Sequence, residues 1–302
     1  MVLFNMFDYT NNVLNELPYG FDGTALTPAC NHLFATNYNP TKSSPQEQEM
    51  FHHNFAKLLC LYNQERPDIQ NSVSYLWTRV KNTDIDYMNK LIRKMKYMRF
   101  TQWLPLKLES DYMLIFKWWV DASYAMHNDF RSHTGATLSL GKGSPYPKYY
   151  KKKMNTKSST EANLVGIYNM MPMIPWTRYF MEDQGYHKTD NILNQYNQSN
   201  MLLSRNGKAS SCKSTKHINI RYLFVTDQIA NKKWKLNIDR HMTCLVISAP
   251  NLLGVHYFAN FANWLLIYGL MIFIYMIQKY HRSVLDPQIL CKNNRQTKVC
   301  PI

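Results

Sequence analysis

Paired cysteines are missing from this 302-residue chain: its six cysteines, Cys30, Cys60, Cys212, Cys244, Cys291 and Cys300, are scattered with no Cys-x-x-Cys spacing. That excludes both a zinc site of the usual ligand spacing and the framework of a small disulfide-stapled secreted protein. No basic stretch precedes the apolar residues among positions 1–9, and no small-residue cleavage pattern follows them. A secretory leader is therefore not expected, and the expected compartment is the cytoplasm or nucleus. Acid is scarce, at 20 Asp and Glu against 35 Lys and Arg, for a net charge of +15. Low complexity is absent too: 45% hydrophobic and 14% aromatic residues against 18% charged can bury apolar surface, which excludes a wholly disordered chain.

The basic excess is uneven. Residues 1–110 carry 11 basic against 10 acidic residues, residues 111–235 carry 18 against 8, and residues 236–302 carry 6 against 2. Periodicity likewise changes after the first hundred or so residues, and the expected organisation is a helical segment at 1–110, an α/β domain at 111–255 and a tail at 256–302.

Residues 1–50 are rich in Asn, Pro, Thr and Gln and read as turn and loop, with one helical turn suggested by Val13, Leu14 and Leu17. From Glu49, the residues Met50, Phe51, Phe55, Leu58 and Leu59 share one side of a helix, and Pro67 opens a second. A third carries an apolar stripe of Met88, Leu91, Ile92, Met95 and Met98, with Lys90, Arg93, Lys94 and Tyr97 on another face. That face reads either as a solvated surface or as one that meets phosphates. His52 and His53 are adjacent on a helix, point apart, and carry no chemistry in this reading.

After Trp103 the period changes. Residues 113–125, 132–141 and 144–153 read as three strands; a helix begins near Ser159 and is interrupted by Pro172 and Pro175; residues 192–198 read as a fourth strand. Two helices and a short strand at 234–238 follow, which makes an α/β layout.

Five blocks then become specific: KWWVDASYA (117–125), RSHTGATLSLGKG (131–143), NTKSSTEANLVG (155–166), ILNQYNQS (192–199) and STKHINIRYLFVTD (214–227). Their order and spacing resemble the ribonuclease H domain of Ty1/copia-type retrotransposon polyproteins. Residues 50–61 and 65–80 resemble the segment that joins reverse transcriptase to that domain. The resemblance implies an α/β fold with a ribonuclease H-like mixed sheet and flanking helices, preceded by a small helical module. It also implies an ancestral activity, cleavage of RNA in RNA–DNA hybrids, and a partner in the remainder of a retrotransposon polymerase. The Tyr-Val-Asp-Asp-type polymerase motif has no counterpart in this sequence.

Such hydrolysis activates a water and stabilises a leaving oxyanion with two Mg²⁺ ions about 4 Å apart, held by carboxylates. The resemblance implies four. The first matches Asp121, which the residues alone describe as an acid at a strand end. The second matches Glu161, which equally fits a capping box with Ser158. At the third position stands Tyr196, whose neutral phenol, with a pKa near 10, is a poor ligand for Mg²⁺. At the fourth, in MTCLVISAP (242–250), stands Leu245. With two acids replaced, Mg²⁺ binding at Asp121 and Glu161 and any cleavage are expected to be weakened or lost.

The basic residues supply a second line. Lys148, Lys151, Lys152, Lys153 and Lys157 are interleaved with Tyr146, Tyr149 and Tyr150, and Lys208, Lys213 and Lys216 follow later. This spacing suits phosphate contact with stacking groups nearby, or a solvated lysine surface. Lys151, Lys152, Lys153 and Lys157, with Asn197 and Gln198, are the candidate contacts to a hybrid, and a non-catalytic nucleic-acid-binding protein is the alternative function. The apolar run at 264–277 is only fourteen residues long, better suited to a buried or interfacial helix than to a span, so no membrane partner is expected.

Overall fold

Helix starts in this chain are fixed by side chains that accept the first unpaired amide protons. Ser44 accepts from the Glu47 amide while Glu47 accepts from the Ser44 amide at 2.7 Å, a complete capping box. Asp84 accepts from the Tyr87 amide at 2.8 Å, and Ser158 from the Glu161 amide at 3.1 Å. The computed structural model describes residues 1–17, 21–30, 32–37, 39–111, 115–186, 190–206, 219–231 and 234–238.

The first part comprises β1 (Val2–Phe4), α1 (Phe7–Asn15), α2 (Pro45–Gln64), α3 (Gln70–Trp77), α4 (Ile85–Phe100) and β2 (Leu106–Ser110). Phe51, Phe55, Leu58, Leu61, Val73, Leu76, Leu91 and Met95 form its fully buried core. The stripes read from the sequence on α2 and α4 face this core. The polar face of α4 is different from either surface expected of it: Lys94 is wholly buried and Tyr97 nearly so. Both turn toward the short helical turn at Pro67–Ile69, where Asp68 accepts from the Tyr97 hydroxyl at 2.7 Å and from Arg66 at 2.8 and 3.0 Å. Arg66 also donates to the backbone carbonyl and side-chain oxygen of Thr101. Helical periodicity alone could not reveal that this polar side is covered by another part of the chain.

The second part runs β3 (Ile115–Ser123), β4 (His133–Ser139), β5 (Gly141–Lys142), β6 (Tyr146–Lys151), α5 (Ser159–Met170), α6 (Met173–Asp183), β7 (Asp190–Gln195), α7 (Gln198–Asn206), α8 (Asn219–Ala230) and β8 (Lys235–Ile238). Its five-stranded sheet has the order β6-β4-β3-β7-β8. β3, β4 and β6 pair antiparallel, whereas β7 and β8 lie parallel on the other side of β3. This mixed sheet with flanking helices is the fold class that the resemblance implied. The proline interruption divides the expected long helix into α5 and α6.

Along β3, Phe116, Trp118, Val120 and Ala122 are buried and alternate with half-buried neighbours. α5 crosses this face closely: a Cβ at Gly166 would meet Thr134 Cγ2 at 3.3 Å and Val120 Cγ1 at 3.4 Å, so glycine permits the approach. β6, at the sheet edge, is covered by α3, and Gln70 donates to the Pro147 carbonyl at 2.9 Å. Proline is tolerable at such an edge because no ladder partner needs its missing amide. A second sheet, of order β1-β2-β5, joins the first part of the chain to the second. Its strands were not expected from the sequence. Among the described residues no helix is long and apolar enough to cross a membrane. The run at 264–277, the rest of the tail at 256–302, Leu245, Lys208, Lys213 and Lys216 lie outside the described residues.

Candidate nucleic-acid interface

The carboxyl end of β3 meets the first turn of α5 through one amide. The Ala122 N–H is shared between Asp121 Oδ1, at 2.8 Å, and Asn163 Oδ1, at 3.1 Å. Asn163 Oδ1 also accepts from Gln195 Nε2 at 3.2 Å, and its own Nδ2 donates to the Ser159 carbonyl. One asparagine thus ties together the ends of β3 and β7 and the start of α5; Asp121 lies on β3, Glu161 on α5, and Tyr196 directly follows β7. Sequence reasoning missed Asn163. Its only signal was a polar side chain two positions beyond Glu161 on a helix whose other neighbours there are apolar.

Glu161 is buried, and its Oε2 accepts from the Lys157 amide at 2.6 Å while its own amide donates to Ser158. The capping geometry open to this residue in the sequence is therefore present, displaced by one residue from the usual box because the amide engaged is that of Lys157. Tyr196 is 55% exposed just beyond β7. Among the described residues, no three His, Cys, Asp or Glu side chains gather where they could hold a metal ion. Two hard cations each need several oxygen ligands, and a two-carboxylate set with a phenol at the third corner does not fit a pair of Mg²⁺ ions.

The basic candidates separate by burial. Lys152 is 1% exposed and donates to the Ala162 carbonyl, so its ammonium faces the protein interior and is not available to a phosphate. Lys151 is half-buried and pairs with Asp129 at 2.7 Å. Lys153 and Lys157 are exposed on the segment leading into α5. Nearby on β6, burial pushes the Lys148 amine down to about 8, and its Nζ lies 5.3 Å above the Tyr150 ring. Asn197 accepts from the Asn200 amide at 3.0 Å, which caps α7, and Gln198 is exposed beside it.

No protein-family model matches the sequence, and no curated protein matches it either. Solved structures of ribonuclease H1 are similar in fold. LC11 ribonuclease H1 crystallised with an RNA/DNA hybrid shares 6% identity at a TM-score of 0.29, over 41% of this chain and 83% of that one. The enzyme of the halophilic archaeon Halobacterium salinarum shares 11% at 0.31, over 45% and 96%. LC11 ribonuclease H1 isolated from compost by a metagenomic approach shares 12% at 0.30, over 46% and 96%.

Proposed function

We propose that this chain is a fragment of a copia-type retrotransposon polymerase whose ribonuclease H-like domain binds RNA–DNA hybrids and has lost most or all of the cleavage that such a domain performs. Its extent would be 111–255, after a connection-like segment at 1–110. The observation that supports the reading is the junction at Asn163, which joins β3, α5 and the end of β7, where by the resemblance the first three acids of such a domain would lie. Support for the binding half comes from the positive charge of residues 111–235 and from exposed Lys153, Lys157 and Gln198. Hybrid recognition of this kind depends on backbone shape and 2′-hydroxyls more than on sequence. Asp121 and Glu161 would hold what Mg²⁺ binding is left.

The test pairs binding with turnover. The parent chain is expected to shift a hybrid duplex on a gel in a salt-sensitive way without consuming it in Mg²⁺. A Tyr196→Asp, Leu245→Asp double variant is expected to cleave at least about 100-fold faster, since even supporting groups around a metal are worth about 10–100-fold. Robust Mg²⁺-dependent cleavage by the parent would overturn the proposed loss. Binding without cleavage in both proteins would favour the purely nucleic-acid-binding alternative.

A further inference from the structure

Between β3 and β4 the loop at residues 124–131 displays three large apolar side chains: Tyr124 is 43% exposed, Met126 37% and Phe130 71%. The loop is held at many points. The His127 amide donates to the Arg131 carbonyl at 3.1 Å and the Phe130 amide to the His127 carbonyl at 2.8 Å. The Ala125 amide donates to Ser132 Oγ, which bonds Thr156 Oγ1 at 3.0 Å. Asp129 pairs with Lys151 and Arg131, and Arg79 of the helical part donates to Asn128 at 3.3 Å. Ala125 and Phe130 both take left-handed backbone angles, φ 52° and 57°, which cost a non-glycine residue strain. The surrounding bonds impose a conformation that leaves Phe130 in water.

The charged surroundings select an occupant. The Tyr124 hydroxyl donates to the Lys157 carbonyl at 3.4 Å, which sets its ring beside the start of α5 and close to exposed Lys157. Arg131 and Lys151 outnumber Asp129 on the loop's other side, and Lys153 follows Lys151 in the chain. Aromatic groups rimmed by cations suit a nucleic acid, and its bases offer faces for stacking only where they are unpaired. The geometry points to a platform, formed by Tyr124 and Phe130, that stacks unpaired bases at the end of a hybrid duplex, with Lys153 and Lys157 meeting the backbone. This rests on the hybrid-binding reading and narrows it to hybrids that carry a single-stranded extension.

Fluorescence anisotropy on the full chain decides the matter, using a labelled blunt 16-base-pair RNA–DNA hybrid and the same hybrid with a four-nucleotide single-stranded extension. The parent is expected to prefer the extended hybrid by about tenfold, a modest yield for stacked bases. Phe130→Asn should abolish most of that preference and leave blunt-hybrid affinity unchanged. Asparagine accepts the left-handed angle better than phenylalanine does, so the variant should fold at least as well. Equal affinity of the parent for both ligands would overturn the platform and leave hybrid binding intact. An equal loss on both ligands in Phe130→Asn would mean that the ring wedges into the duplex, which also overturns it. Failure to bind either ligand would remove the hybrid-binding reading itself, and the platform with it.

Discussion

Asp68→Ala is expected to cost about 3–5 kcal/mol of folding stability, because it takes from a buried guanidinium the carboxylate that is hydrogen-bonded to it and leaves only the weaker attraction of Glu65. Arg66 is only 2% exposed, and both its Nε and one of its terminal nitrogens donate to the Asp68 carboxylate. Burial pushes the Asp68 carboxyl up, but Arg66 and the Tyr97 hydroxyl more than offset this and hold it below the usual range. Against a typical total of about 5–15 kcal/mol, the loss would leave the fold marginal. Urea denaturation of the parent and variant measures it. An Arg66→Met, Asp68→Ala double variant should lose clearly less than Asp68→Ala alone, since it removes the stranded charge as well. If the double variant is the worse of the two, Asp68 is contributing packing and not charge compensation.

Lys94 makes the opposite case on the same helix. Its Nζ is buried without a hydrogen-bond partner, and burial pushes the amine well below its ordinary pKa, against a smaller pull from Asp68. Folding therefore releases a proton that the unfolded chain retains up to about pH 10.4, so this residue makes stability rise with pH. Lys94→Met keeps the volume and removes the amine. It is expected to raise stability by at least about 1 kcal/mol at pH 7, with a larger gain at pH 6 than at pH 8. A variant that is less stable than the parent at all three pH values would show that the amine has a partner.

The contrast between Lys94 and its neighbours explains how far the sequence could be read. Met88, Leu91 and Met95 declared themselves by period, because burying an apolar stripe needs no knowledge of what covers it. β3 declared itself by alternation around Trp118, and β4 and β6 by the polar turns that bound them. Lys94 and Tyr97 could not, since their environment depends on Asp68, distant in the chain and carrying no periodic signal. β1 was equally hidden: three residues whose pairing partners, Leu106–Leu108, lie over a hundred positions away. At the candidate site, Asp121, Glu161 and Tyr196 were singled out by the strings around them, whereas Lys152 looked like its lysine neighbours and turns inward. Asn163 became visible only when β3, α5 and β7 were brought together.

Acid is expected to open the seam between the helical part and the sheet well above the pH at which carboxylates protonate, and the reason is a line of hydrogen bonds with room for one proton arrangement. Phe34, Tyr75, His127 and His133 pack together there edge-on or tilted, with the two imidazoles 5.3 Å apart between centroids. Ser74 of α3 donates to the Asn71 carbonyl at 2.9 Å, so it must accept from His133 Nε2 at 3.2 Å. His133 Nδ1 is then bare and accepts from His127 Nε2 at 3.1 Å. His127 Nδ1 is left as a buried lone pair without a partner. Protonating either ring places an N–H at that nitrogen with nothing to receive it, or sets two N–H groups against each other. Burial pushes His133 down to about 3, with a further contribution from His127. It pushes His127 down to about 4, where Lys151, Arg79 and Arg131 add to the effect and Asp129 opposes it. Both values lie below the unfolded value near 6.5, so the unfolded chain binds more protons and stability falls as pH drops from about 6.5 toward 4. For buried His133 alone the loss between pH 7 and pH 5 is about 2 kcal/mol. Urea midpoints across that range should fall clearly less steeply in a His127→Phe, His133→Leu double variant than in the parent, since it keeps the apolar volume, removes both imidazoles and leaves the slope that buried Lys94 contributes. Equal slopes in the two proteins would place the acid sensitivity elsewhere and leave the seam uninvolved in it.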